Sequence, residues 1–258
     1  MNDTNPYSAP SSNVQRTLEG GLHSGGPQAV AVGRGWSWIT GGWEYFKRSP
    51  GAWILTIVAA AVIYVVLAFI PLIGQLAISL TSYVWIAGYY LGCKAQDEGK
   101  PFAVNYLFEG FRDPGKLVLL SLIMTVAAFV IVIVGVLPVA LSAIGGTLVD
   151  SAGAEVPDVG LFAILLMLVG FLLFIPLAMA AWFAPALMTF HDVSIVDAMK
   201  LSLAGCLKNI LPMLVYSIVG LILFLIGSIP LGLGLLVVFP VMIASAYVSY
   251  KEIFLQSV

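Results

Sequence analysis

The sequence predicts an all-α, polytopic transmembrane protein of six helices arranged as three hairpin units, each preceded by a cytoplasmic amphipathic segment. Three observations predict it. Of 258 residues, 60% are hydrophobic and only 9% charged, with a mean hydropathy of +1.04. A soluble domain carries about a quarter of its residues charged, so most of this surface must face lipid. Six apolar stretches reach the roughly 20 residues that cross a bilayer at 1.5 Å per residue. All 11 Lys and Arg fall on one side of that six-span arrangement.

Residues 1–33 stand apart. They are rich in Ser, Pro, Gly, Asn and Gln and poor in large apolar side chains. Such a segment buries too little surface to offset its ordering entropy, which predicts a disordered tail. It also lacks the apolar core of a signal peptide, so the first span is expected to direct insertion. Residues 34–258 form the predicted transmembrane domain.

The spans are placed at about 51–70, 72–92, 117–137, 160–182, 210–229 and 231–250. Pro71 and Gly74 turn the first pair into a hairpin, and Pro230, Gly232 and Gly234 turn the last. Helix breakers between two apolar runs, with no polar loop, mean a tight turn at the membrane face. The middle pair is longer than a perpendicular span needs, so tilting or kinks at Pro138, Pro176 or Pro185 are expected.

Charge then orients the chain. Arg16, Arg34, Lys47 and Arg48 precede span one; Lys94, Lys100, Arg112 and Lys116 lie between spans two and three; Lys200 and Lys208 lie between spans four and five; Lys251 follows span six. The opposite side carries only the acids Asp150, Glu155 and Asp158. The positive-inside rule makes the basic side, and both termini, cytoplasmic.

The units look repeated. Trp43-Glu44-Tyr45-Phe46-Lys47-Arg48-Ser49-Pro50-Gly51 precedes span one, Phe108-Glu109-Gly110-Phe111-Arg112-Asp113-Pro114-Gly115 precedes span three, and the weaker Ala204-Gly205-Cys206-Leu207-Lys208-Asn209 precedes span five. At the exits, Val84 to Tyr90 aligns without gaps on Val241 to Tyr247, and Lys94 on Lys251. Units of two spans share one orientation, as parallel repeats do. Trp36, Ile39, Trp43 and Phe46 recur at three- and four-residue steps and define one helical face, closed by Lys47 and Arg48. This predicts an amphipathic helix at the headgroup level, with Trp36, Trp43, Phe46, Lys47 and Arg48 as interfacial anchors. Ile195, Met199, Ser202 and Cys206 repeat the design less strongly.

The tail motif Asn5-Pro6-Tyr7-Ser8-Ala9-Pro10 resembles the Asn-Pro-Tyr-x-x-Pro start of many bacterial inner-membrane proteins. Gly35-Trp36 through Phe46, Pro50, Pro71 and Gly74, then Phe183-Ala184-Pro185-Ala186-Leu187 and Tyr247-x-x-Tyr250-Lys251, resemble an uncharacterised six-helix family of proteobacterial inner-membrane proteins. The resemblance implies location and fold, a bacterial cell inner membrane and a multi-pass chain, and no activity. A looser likeness is to the membrane domain attached to some glycerophosphodiester phosphodiesterases, whose catalytic domain this chain lacks.

Chemistry is sparse. None of the six predicted spans holds Asp, Glu, Lys, Arg or His, residues that mark proton relays and ion paths within membranes. Gln75 and the hydroxyls of Ser79, Thr81, Ser82, Ser121, Thr125, Ser217, Ser245 and Ser249 are the most polar interior groups. Cys93, Cys206 and His191 lie in three separate segments without Cys-x-x-Cys spacing, so they are expected to be ordinary packing residues. No catalytic residue, cofactor or metal is expected, and no basic run suits nucleic acid.

Small residues at four-residue spacing are the better signal. Gly88 and Gly92 in span two correspond to Ser245 and Ser249 in span six, and Ala180 and Ala184 end span four. Small faces let helices approach closely in lipid, so spans two, four and six are expected to form the inner contact. A non-enzymatic scaffold or accessory protein in the bilayer is the leading functional expectation, with membrane lipids and a homo-oligomer or membrane-protein partner around it. The alternative is a transporter or flippase-like carrier of a neutral or lipidic molecule. A closed apolar core favours the first; an open, hydroxyl-lined cavity favours the second. A membrane-embedded enzyme built around His191 is the least favoured class.

Overall fold

The computed structural model describes residues 21–23, 25–152 and 160–256. The chain is an all-α, polytopic membrane protein: six of its described helical segments are long and apolar enough to cross a bilayer. In chain order the helices are α1 (Arg34–Arg48), α2 (Pro50–Ala68), α3 (Ile73–Asp97), the short α4 (Tyr106–Glu109) running into a 3-10 turn (Gly110–Arg112), α5 (Gly115–Ala152), α6 (Gly160–Trp182), α7 (Ala184–Phe190), α8 (Ile195–Lys208), α9 (Ile210–Ser228) and α10 (Leu235–Phe254). The acidic loop beyond Ala152 and the tail before Gly21 lie outside the described residues.

Two of the predicted spans end later than expected. Helix α3 continues past 92 to Asp97, and α10 past 250 to Phe254, so Lys94, Asp97 and Lys251 sit on the last turns of spanning helices. Helix α5 runs without a break past position 138, and Pro176 lies inside α6. The break comes instead at Phe183. Pro185 has no N–H to give the carbonyl one turn back, and its ring crowds that carbonyl. The ladder is also open two residues earlier, between Phe183 and Met179, where the Ser202 hydroxyl bridges it: it donates to Met179 O (2.7 Å) and accepts from Phe183 N (2.9 Å). The fourth span is therefore α6 extended by α7, covering Leu165–Phe190.

The segment leading into each unit lies against the second span of the unit before it. The α4 segment packs on α3, α8 on α6 and α7, and α1 on α10, which closes the three units into a ring. The crossings share one geometry. A Cβ on Gly42 would stand 2.4 Å from Val241 O and 2.7 Å from Ser245 N; one on Gly110 would stand 2.2 Å from Val84 O and 3.1 Å from Gly88 N. Val84 and Gly88 are the repeat partners of Val241 and Ser245. In the third unit the Ser202 hydroxyl takes the same place, on Met179 O and Phe183 N. Each lead-in segment thus reaches the backbone of the preceding unit's second span at one point, which only Gly, or Ser bonding to an opened helix ladder, permits.

This arrangement changes the role of the small-residue faces. Gly88 and Gly92 receive the 102–110 segment, through the carbonyls of Tyr106 and Leu107 and the ring of Phe102, while Ser245 receives Gly42. Ser249 is buried and bonds back to Ala246 O. These faces hold lead-in segments rather than other spans. Ala180 and Ala184 are buried, but the residues equivalent to Gly88 and Ser245 are one position earlier, at Phe183, because of the break before Pro185. Spans two and six are the most enclosed, and span four joins them only near its basic end, through α7.

The face of α1 is also rotated from the expected one. Trp38, Ile39, Gly42, Tyr45 and Phe46 are buried against α9 and α10, whereas Trp36 and Trp43 are exposed. Phe46 is therefore a core residue that stacks under Trp43 at 5.4 Å. Lys47 pairs with Glu44 (2.8 Å), and Arg48 lies over the Tyr45 ring. Arg34 and Trp38 both bond Glu252, at 2.5 and 2.6 Å, fixing α1 to the end of α10.

Part of the predicted tail is tied down. His23 N donates to Phe254 O (3.0 Å) and Gln28 N to Ile253 O (2.8 Å). Buried Asn209 accepts from Val30 N (2.8 Å) and donates to Gln28 O (2.8 Å) and Gly205 O (2.9 Å), so its amide is fully used. Residues 21–23 and 25–33 form a strap across the α8–α9 junction and the C-terminal turn of α10. Composition did not reveal it because its partners are backbone groups and the distant Lys208 and Asn209 side chains.

The first hairpin turns through Leu72, at φ 61° and ψ −59°, with Ile73 N donating to Pro71 O (2.7 Å). This is a γ-turn of the rare, strained hand. Leu231 has φ 53° at the matching place after Pro230. Leu72→Gly is expected to raise stability by about 1 kcal/mol by relieving that strain, offset in part by the freer unfolded chain. A thermal melt in detergent checks this; a lower melting temperature would contradict it.

Candidate functional site

The second spans are held together at the basic end, but the hairpins separate within the membrane. The α5–α6 hairpin leans on α3 through α5, and the α9–α10 hairpin leans on α1, α2 and α3. Among the described residues α6 and α9 share no extended contact. Between them, backed by α3, α5 and α10, lies a cavity of about 680 Å³. Small residues make the room: Ala178 and Ala181 on α6, Gly220 on α9 and Ala246 on α10.

One ring pair bridges α6 and α9, and a second lines the α9–α10 wall. Trp182 meets Tyr216 edge-on at 6.1 Å near the basic end, and Phe224 meets Phe239 edge-on at 5.2 Å deeper in. The Tyr216 hydroxyl donates to Met242 O (3.0 Å), which fixes one wall. The side is open to the hydrocarbon: Leu221 is 60% exposed, Phe174 43% and Phe239 42%. Among the described residues the lining is apolar except for Tyr83, Tyr90, Trp182, Tyr216 and Ser217, and none of it is charged. Among the described residues no hydrogen-bond partner is seen for the hydroxyls of Tyr90 and Ser217. A hydroxyl left unpaired in a membrane is costly, so these groups are ready to bond an occupant.

A second polar centre lies at the basic ends of α3 and α10. Asp97, 13% exposed, accepts from the Lys251 ammonium (2.7 Å), the Tyr247 hydroxyl (3.0 Å) and the Tyr45 hydroxyl. Lys251 also donates to the Tyr45 oxygen (2.9 Å) and lies over the rings of Tyr45 and Tyr247. Gln96 Nε2 donates to Tyr45 O (3.1 Å). Burial, then the Asp97 carboxylate, pushes the Tyr45 phenol far above its ordinary pKa, so it stays a donor. The cluster joins α1, α3 and α10, and Asp97, Lys251, Tyr45 and Tyr247 satisfy one another. It acts as a lock. Sequence reasoning missed Asp97 because span two was ended at 92; the Lys94–Lys251 match was the signal that the helix ran on.

A cleft of about 490 Å³ faces the basic side between the α4 segment, α5 and α7, lined by Glu109, Arg112, Asp113, Lys116, His191 and Asp192. Arg112 pairs with Glu109 and Lys116 with Asp192, both at 2.7 Å. Cys93, Cys206 and His191 do not share a site. His191 Nε2 bonds the Tyr250 hydroxyl (2.6 Å), Cys206 Sγ donates to Met179 O (3.4 Å), and Cys93 is buried in the core. Burial pushes the Cys206 thiol up to about 12. Among the described residues no group of three His, Cys, Asp or Glu could hold a metal.

Burial, then Lys94, lowers the His191 pKa. The unfolded imidazole, titrating near about 6.5, then binds a proton more readily than the folded one. Its contribution to stability is full above that pH and is lost as pH falls toward the folded value. The melting temperature is expected to drop between about pH 6.5 and 5 more in the wild type than in His191→Asn. Equal slopes would contradict this.

The chain is 28% identical over 228 residues to a probable inner membrane protein of Burkholderia thailandensis, a match covering 84% of this chain and 82% of that one. No family model matches the chain. No solved structure matches it either.

Proposed function

We propose that the chain is an integral protein of a bacterial inner membrane that binds a lipid-like molecule in the α6–α9 cavity, acting as a carrier rather than a catalyst. Both termini are cytoplasmic in this reading, since the Lys and Arg residues gather at one end of the helices. The similarity to a probable inner membrane protein supports the location. The single observation that carries the activity is the laterally open, uncharged cavity with hydroxyls lacking partners. Its volume falls within the roughly 300–1,000 Å³ of small-molecule sites. Native mass spectrometry of the protein released from nanodiscs tests this. One retained lipid-like adduct is expected, lost in Ala178→Phe, which fills the slot, and kept in Ala61→Phe on the lipid side of α2. The same adducts in both variants would overturn the assignment.

A scaffold role is the second reading. It is favoured by the broad uncovered face of the α5–α6 hairpin, where Phe129 is 64% and Phe171 68% exposed. In-membrane crosslinking from Phe129 or Phe171 to one reproducible protein would support it, and crosslinks to lipid alone would remove it.

A further inference from the structure

Resting on that reading, we infer that the occupant is a single-chain lipid with an uncharged, hydroxyl-bearing head, entering sideways between α6 and α9 from the leaflet at the basic end. The depth of the cavity points to that leaflet. Tyr216 and Ser217 lie about 9–11 Å along α9 from its start at Ile210, and Phe224 about 21 Å. In a hydrocarbon core of about 30 Å the slot therefore runs from below the headgroups to beyond the midplane.

Its polarity is graded along that path. Tyr90, Trp182, Tyr216 and Ser217 cluster toward the basic end, while Leu221, Phe224 and Phe239 line the deeper part; Tyr83 is the one deep hydroxyl. This is the pattern of an amphipathic guest with its head outward and its chain inward. The modest volume suits one chain rather than two.

The head must be neutral. Among the described residues no Asp, Glu, Lys, Arg or His lines the cavity, and the nearby cations are engaged elsewhere, Lys251 with Asp97 and Lys94 over the Phe190 ring. A charge brought into this slot would find no counter-charge and would be costly. The Tyr90 and Ser217 hydroxyls can donate, and the Tyr216 oxygen, having given its proton to Met242 O, can still accept. An alcohol or a glycerol ester matches that set as both donor and acceptor. Entry through the side follows from the absence of extended α6–α9 contact and from the exposure of Leu221 and Phe174.

The test uses full-length protein in phosphatidylcholine vesicles with a photo-clickable monoacylglycerol carrying a diazirine in its chain. Adducts are mapped by peptide mass spectrometry and competed with unlabelled monoacylglycerol or lysophosphatidic acid of the same chain. Saturable labelling on α6 and α9 is expected, abolished by Ala178→Phe. The neutral competitor should act at about tenfold lower concentration, and Tyr90→Phe with Ser217→Ala should raise the concentration it needs by about tenfold, as the loss of one or two hydrogen bonds implies. Equal or better competition by the anionic lipid would overturn the neutral-head assignment while leaving the cavity occupied. Labelling that does not saturate, is insensitive to Ala178→Phe and spreads over the exposed face of α5 would overturn this inference and the binding site together.

Discussion

Replacing Gly42 with leucine is expected to force α1 off α10 and to destabilise the protein by at least about 3 kcal/mol. The atoms in the way are backbone, Val241 O and Ser245 N, both under 3 Å from the new Cβ, together with the Ser245 hydroxyl. No rotamer change in a neighbour can clear them. The loss should spread, because α1 also carries Tyr45 to Asp97 and Trp38 and Arg34 to Glu252. Gly110→Leu should behave alike, since it meets the equivalent atoms of α3. Gly51→Ala is the matched control: a Cβ there meets nothing within 4 Å. Thermal unfolding in detergent separates these outcomes. Wild-type stability for Gly42→Leu would refute the close crossing and, with it, the closure of the ring.

The second large effect is expected at Asp97. Removing the carboxylate in Asp97→Ala strands the Lys251 ammonium and two tyrosine hydroxyls at the junction of α1, α3 and α10. Breaking a buried pair by deleting one member costs about 3–5 kcal/mol, and the 34% exposure of Lys251 lowers that to about 2–3. Asp97→Asn keeps an acceptor and should cost less. Deleting both charges, in Asp97→Leu with Lys251→Met, should recover much of the loss. Equal damage from the single and double variants would show that the cluster is held by packing rather than by charge.

These two sites show what the sequence could and could not disclose. Span number follows from apolar length, and Pro71 and Pro230 mark the hairpins where the chain does turn. The repeat was visible where helices align residue for residue, as Val84 to Tyr90 does on Val241 to Tyr247. It was obscured in the lead-in segments, because the fifteen-residue α1 and the four-residue α4 place Gly42 and Gly110 at different distances from the following proline. Their equivalence exists only in space. The face of α1 was misread because Trp36 and Trp43 share a stripe with Ile39 and Phe46, and only the contact with α10 decides which tryptophans turn outward. The cavity was the least legible feature. Ser217 could be singled out as a polar group in a span, but a void depends on which helices fail to touch, and no local pattern encodes that. Ala178, Gly220 and Ala246 read as ordinary small residues until their shared emptiness is seen.

The most direct measurement is an experimental structure of the protein grown from a lipidic mesophase or held in a nanodisc. The predicted result is elongated density for one chain between Trp182–Tyr216 and Phe224–Phe239, with its polar end within hydrogen-bond reach of Tyr90 or Ser217. An α6 closed directly onto α9, with Ala178 against Leu221 and no space between them, would contradict the account.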